Sequence, residues 1–121
     1  MTPIHKGLSV HVVDVAGGHV ARGMAVEVLR MVGDTPQPLV AGTVGDNGVV
    51  SGLADHDARF TVGRYEMRLH VADWYRAHGT ALADPPFMDV QVFRFAIADT
   101  AQHYHLPVKL TPWGLSCFRG A

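Results

Sequence analysis

Three histidines stand where their spacing could do chemistry: His103 and His105, separated by one residue, and His11 near the start of this 121-residue chain. Read with period two, the segment from His103 to Leu110 places Tyr104, Leu106, Val108 and Leu110 on an apolar face. His103, His105, Pro107 and Lys109 then face away from it. In the first apolar segment Leu8, Val10 and Val12 alternate with Ser9, His11 and Val13, so His11 turns outward in the same way. An imidazole that titrates near neutrality can take a proton from water and hand one to a leaving group. Spacing alone leaves two readings open: solvated surface histidines, or a His-x-His zinc site whose third ligand must come from elsewhere, with His11 as the candidate. No local carboxylate or thiolate completes a metal set, so neither metal nor cofactor is expected.

The elements that must position these side chains are strands. Short segments rich in valine are separated by Gly, Pro and Asp/Asn clusters, which is the pattern of an all-β domain. The expected strands are Leu8–Val15, Met24–Val32, Leu39–Thr43, Val49–Leu53, Arg64–Ala72, Met88–Ile97, His103–Leu110 and Leu115–Arg119. Asp46-Asn47-Gly48 is a turn signal that joins the third and fourth of these as a hairpin. From Arg64 to Val71 the apolar residues Tyr65, Met67, Leu69 and Val71 alternate with Arg64, Glu66, Arg68 and His70, giving one core face and one wet face. In Met88–Ile97 the apolar parity switches after Val92, which predicts a β-bulge there. The stretch Ala72 to Gly79 lacks alternation, offers Asp73 as a cap and ends in glycine, as a helix of about two turns would. Eight strands and one short helix predict a sandwich of two sheets in a single domain over 1–121.

Composition narrows the function classes. With 10 basic against 11 acidic residues, a formal charge of −1 and no basic cluster, the chain has no electrostatic footprint for nucleic acid or an anionic membrane. A small polar ligand fits better. The single cysteine, Cys117, excludes an intrachain disulfide and a cysteine-rich zinc site. The start Met1–Lys6 has no apolar run of the length a signal peptide or membrane span needs, and the cytoplasm is the expected compartment.

Leu8-Ser9-Val10-His11-Val12-Val13-Asp14, Gly63-Arg64-Tyr65-Glu66 and the run from Ala98 to Pro107, together with the closing Phe118-Arg119-Gly120, resemble the transthyretin-like proteins, in particular their 5-hydroxyisourate hydrolase branch. The resemblance runs from Gly7 onward, in order and at family length. It implies a transthyretin-like (prealbumin-like) sandwich of two four-stranded sheets with one short helix, assembled as a homotetramer around a channel. The family's sites lie in that channel between dimers, where outward faces of the first and last strands meet. It further implies a purine-degrading reaction, hydrolytic opening of the lactam ring of 5-hydroxyisourate formed in urate breakdown. His11 and His105 would be its acid–base pair.

Three positions depart from the family pattern. Aligned on Asn47-Gly48, the family's arginine is replaced by Val49, and no arginine lies between Arg30 and Arg59. The closing Tyr-Arg-Gly-Ser reads Phe118-Arg119-Gly120-Ala121, so two hydroxyls are absent as well. Each change removes a hydrogen-bond donor, and an oxyanion donor is worth about 10²–10³ in rate. A pocket lined by Val49, Phe118 and Ala121 disfavours a ring whose N–H and C=O groups expect partners, at about 1–3 kcal/mol for each one left unpaired. It accepts a ring whose nitrogens carry methyl groups, such as an N-methylated 5-hydroxyisourate. Two rivals follow from the same departures: a transthyretin-like enzyme of another reaction, such as lactone opening or cyclisation, and a non-catalytic small-molecule carrier.

Among the remaining residues, Arg119 or Lys109 is the local candidate to replace the missing cation, and His103 is expected to support the site by holding a tautomer or a water. Trp74, Tyr75 and Trp113 are expected as packing anchors. Cys117 has no base beside it in sequence and is not expected to be a nucleophile.

Overall fold

The computed structural model describes residues 6–120. Its strands are β1 (Leu8–Asp14), β2 (His19–Val20), β3 (Ala25–Val32), β4 (Thr35–Thr43), β5 (Gly63–His70), β6 (Val90–Ile97), β7 (Tyr104–Thr111) and β8 (Gly114–Cys117). They form two four-stranded sheets, ordered β2-β1-β7-β8 and β4-β3-β5-β6. The two-sheet all-β architecture expected from the valine-rich pattern is what the chain adopts. Leu8, Val10, Val12, Leu106, Val108 and Leu110 of the first sheet, all at most 2% exposed, meet Val26, Val28, Tyr65, Met67 and Leu69 of the second. Removing each such side chain from water contributes about 1.5–3 kcal/mol, which holds the inward faces in place and thereby aims the outward ones.

β1 and β7 are the two central strands of their sheet and pair in parallel, while the other pairings are antiparallel. A central pair is the least mobile place on a sheet face, so side chains on its outer side are positioned by backbone bonds on both edges.

The helix α1 (Val71–Ala77) follows β5, as expected, and the chain leaves it through Gly79 at φ +82. Asp73 lies within its first turn rather than capping it; the N-cap is His70, without a side-chain cap bond. Trp74 and Tyr75 are buried and anchored by polar tips: Trp74 Nε1 donates to the Arg22 carbonyl at 2.7 Å, and Tyr75 Oη donates to Asp14 Oδ1 at 2.7 Å. Trp113 does not pack within the chain. It sits on the β7–β8 turn and is 70% exposed.

Three local expectations are corrected. The β5–β6 register runs unbroken from Gly63↔Ile97 to His70↔Val90, so there is no bulge near Val92. The parity switch arises because β6 is an edge strand with apolar residues on both faces: Phe93, Phe95 and Ile97 face the core, while Val90 and Val92 face outward. The register shift falls instead between β3 and β4, where Val28 opposes Val40 and Leu29 opposes Pro38. Pro36 and Pro38 are tolerated because β4 is an edge. Val49–Leu53 is no ladder strand; Val49 and Val50 make single bridges to His11 and Val44, and the short β2 supplies the eighth strand. Glu66, expected on a wet face, is 3% exposed and lies under Arg68 and Arg94, with Nε to carboxylate distances of 2.6 and 3.0 Å.

Candidate active site

The parallel register sets Ser9 opposite His105 and His11 opposite Pro107. Because side chains two apart share a face, Ser9, His11, His103 and His105 form one outward patch on β1 and the start of β7. His103 immediately precedes β7 and is exposed; His11 and His105 are half-buried.

Hydrogen bonds fix three of these side chains. Ser9 Oγ lies 2.7 Å from His103 Nε2 and 2.6 Å from His105 Nδ1. His103 Nδ1 lies 2.7 Å from the Lys6 carbonyl oxygen. His11 is held separately, its Nε2–H donating to the Asn47 carbonyl oxygen at 3.1 Å. The Asp46-Asn47-Gly48 turn that delivers this carbonyl is tied to β1, since Val12 N donates to Gly48 O and Val50 N donates to Val10 O, both at 2.9 Å. Asn47 Oδ1 closes the turn by accepting from Val49 N at 3.0 Å. The predicted hairpin signal therefore has a second role: it builds one wall of the histidine patch.

His105 is held below the ordinary histidine value of 6.5, first by burial and then by the charges that His103 and His11 can carry. At neutral pH its imidazole is uncharged and able to accept a proton.

Beside the patch is a recess of about 380 Å³ whose lining includes Lys6, Ser9, Asn47, Val49, Asp57 and His103. Val49 thus lies on the wall of a cavity that Ser9 and His103 also line, while His11 and His105 stand on the patch beside it rather than in its wall. Phe118 is 47% exposed, following β8. Gly120 bridges to His105, its N–H donating to the His105 carbonyl at 2.7 Å, and a Cβ there would stand 3.2 Å from His105 Cδ2. Arg119 takes the opposite direction: its guanidinium carbon lies 4.0 Å above the Tyr104 ring, and Nη2 donates to Gln102 Oε1 at 2.8 Å. That position engages the loop before β7 instead of the His105 face. Lys109 is exposed on the far part of β7, and Ala121 lies outside the described residues.

Sequence reasoning singled out the histidines and Val49 but missed Ser9, Asn47 and the Lys6 carbonyl. Ser9 had a usable signal, because it shares the His11 face two residues away. The two backbone carbonyls had none. Among the described residues no set of three or more His, Cys, Asp or Glu is arranged to hold a metal ion, and no helix is long and apolar enough to cross a membrane. Cys117 is half-buried, and burial pushes its thiol up to about 11, which keeps it protonated and unreactive near neutral pH.

A sandwich of two four-stranded sheets with a histidine patch outside its parallel central strands is the architecture of a transthyretin-like protein. The chain belongs to the HIUase/Transthyretin family, whose pattern matches residues 8–120. It is 39% identical to the 5-hydroxyisourate hydrolase of Deinococcus radiodurans, over 97% of this chain and 98% of that protein. It is 37% identical to 5-hydroxyisourate hydrolase 2 of Rhizobium meliloti, over 94% and 95%. Among solved structures, (S)-allantoin synthase superimposes with a TM-score of 0.86 at 27% identity over 98% of this chain, which spans 45% of that longer chain. Klebsiella pneumoniae 5-hydroxyisourate hydrolase shares the fold, with a TM-score of 0.77 at 24% identity over 95% of this chain and 99% of its own.

Proposed function

We propose that this chain is a ring-opening hydrolase of the 5-hydroxyisourate type whose substrate is a less polar relative of that ring, an N-methylated 5-hydroxyisourate being the form that fits best. The observation that carries the reading is the uncharged, outward-facing His105 beside His11, next to a recess with Val49 in its wall. The full-length likeness to named 5-hydroxyisourate hydrolases supports the hydrolytic class.

In this mechanism His105 takes a proton from water as the water oxygen attacks the lactam carbonyl. His11 donates a proton to the ring nitrogen as the C–N bond breaks. General acid–base catalysis of this kind contributes about 10²–10⁴ in rate. Val49 and Phe118 contact the ring where the family's arginine and tyrosine would donate hydrogen bonds, and Ala121 stands in for the serine. The tyrosine and serine hydroxyls could also accept from a ring N–H, which a methylated nitrogen lacks, so their loss costs the methylated ring less than the parent ring, while the loss of the arginine's donors weighs on both. Arg119 reaches the ring only if it leaves Tyr104, and His103 supports the site from its rim, its two ring nitrogens being engaged by Ser9 and the Lys6 carbonyl.

The site is completed in a homotetramer, with the patch facing a channel between dimers. Outward apolar residues support this assembly: Trp113, Leu115 and Phe118 on and beside β8 are 70, 38 and 47% exposed, more than an isolated chain gains from leaving in water. The proposed compartment is the cytoplasm. A second reading, favoured by the likeness to (S)-allantoin synthase, is a transthyretin-like enzyme of a different reaction using the same histidines.

The test is to mix the purified protein with freshly generated 5-hydroxyisourate and with its N-methylated forms, following loss of ultraviolet absorbance beside a His105→Ala control. Faster decay of the methylated ring that vanishes in the control is expected. Preference for the unmethylated ring would overturn the altered substrate, and no acceleration of any ring would shift the weight to the second reading.

A further inference from the structure

We infer that Ser9 is a positioning residue whose hydroxyl links His103 to His105 and thereby presents the Nε2 lone pair of His105 to the outward face. The inference rests on the acid–base reading above and specifies which nitrogen does the work and what sets it.

The direction of each bond follows from what its atoms can do. The Lys6 carbonyl oxygen only accepts, so His103 Nδ1, 2.7 Å away, carries the hydrogen. A neutral His103 then has its lone pair on Nε2, which accepts from the Ser9 hydroxyl at 2.7 Å. With its hydrogen directed there, Ser9 Oγ accepts from His105 Nδ1–H at 2.6 Å. A neutral His105 is left with an unprotonated Nε2, the nitrogen farther from Ser9. The chain Lys6 carbonyl, His103, Ser9, His105 thus has one polarity, set by a backbone group that cannot reverse it.

Protonating His103 reverses the last two links. Both its nitrogens then donate, the Ser9 hydroxyl turns to donate to His105 Nδ1, and the hydrogen of His105 moves to Nε2. His105 is a base at Nε2 only while His103 is neutral. The charged and titratable groups around this chain are His11 on β1, Lys109 on β7, Arg119 after β8, and Lys6 and Asp57 at the recess. None of them donates to or accepts from Ser9 Oγ; among the described residues both of its bonds to side chains are to the two histidines.

The experiment compares the full chain with its Ser9→Ala and Ser9→Thr variants by ¹⁵N NMR of the histidine rings and by turnover of the substrate chosen above. The expected wild-type state of His105 is the Nδ1–H tautomer. Ser9→Ala should release it toward the mixture of a free imidazole, lower kcat by about 10–100-fold with KM little changed, as loss of an orienting partner does, and simplify the acid limb of the pH profile to one proton. Ser9→Thr keeps the hydroxyl and should restore tautomer, rate and profile. An Nε2–H tautomer in the wild type, or no change of tautomer in folded Ser9→Ala, would overturn the inference. So would a tautomer change that leaves the rate intact. If no ring substrate is turned over at all, the functional reading fails, and the NMR comparison still decides the role of Ser9.

Discussion

Gly48 lies directly under the His11 imidazole. A Cβ added at residue 48 would overlap His11 Nε2 and stand 2.8 Å from Cδ2 and from Val20 Cγ1, and the glycine has φ +84. Two physical demands therefore fall on one residue: a positive φ for the turn and an empty side for the ring. Gly48→Ala is expected to displace His11 and break its bond to the Asn47 carbonyl. Activity should fall by about 10–100-fold, as expected when an acid–base group loses its orientation, with a stability loss of about 1–2 kcal/mol from backbone strain. Kinetics and urea denaturation of the same preparation measure both. Unaltered kcat in a folded variant would show that His11 is not oriented by this turn.

On the proposed acid–base reading, the depressed pKa of His105 sets the acid limb of activity. Burial first, and then the charges of His103 and His11, hold it below 6.5, so the neutral base persists as pH falls through 6.5 and is lost only below it. The same shift acts on stability. Between 6.5 and the lower folded value the unfolded chain binds more protons than the folded one, so stability decreases as pH falls across that window. Thermal unfolding from pH 7.5 to 5 should show this decrease, and it should be smaller in His105→Gln. An equal slope in the variant would assign the acid sensitivity elsewhere.

Much of this site was legible because strand alternation is a local signal. Tyr104, Leu106, Val108 and Leu110 had to face the core, and that alone turned His105 outward. The parallel pairing of β1 with β7 joins residues 96 positions apart, such as Ser9 and His105. No period in the sequence records such a partner, and for that reason the role of Ser9 emerged only with the register. Val90 and Val92 misled for a related reason: on an edge strand an outward valine looks like a core valine that has slipped by one. Glu66 looked like part of a wet face because the covering arginine, Arg94, comes from the neighbouring strand.

Glu66 is expected to be a point of acid weakness. Burial alone would raise its pKa, but hydrogen bonds from Arg68 and Arg94, with their charges, outweigh it and hold the carboxyl below its usual value of 4.5. Its contribution to stability is therefore complete above 4.5 and is lost as pH falls through the lower folded value. Glu66→Gln removes the charge that both arginines face and should cost about 2 kcal/mol, moderated because Arg94 is largely exposed. Denaturant midpoints at pH 7 and pH 3 check this: the gap between wild type and variant should narrow at pH 3. A constant gap would mean that packing, not charge, explains the loss.

Val49→Arg is the substitution that most directly tests how the recess selects its ring. Val49 lines the cavity with Ser9, Asn47 and His103, and its backbone is bridged to His11, so an arginine there would start from a fixed point beside the proposed acid–base pair. A guanidinium offers donors to a developing oxyanion and to ring carbonyls, and a well-aimed donor of this kind contributes about 10²–10³ in rate. The introduced arginine lacks any evolved support, so a gain of about 10-fold in kcat/KM on unmethylated 5-hydroxyisourate is expected, with little gain or a loss on the methylated ring, whose methyl group competes with the guanidinium for the same space. The quantity to measure is the ratio of the two kcat/KM values in wild type and variant. If the ratio moves toward the unmethylated ring, the valine is the selective element. If both values fall together, the ring does not lie against residue 49 and specificity is set at Phe118 or beyond it.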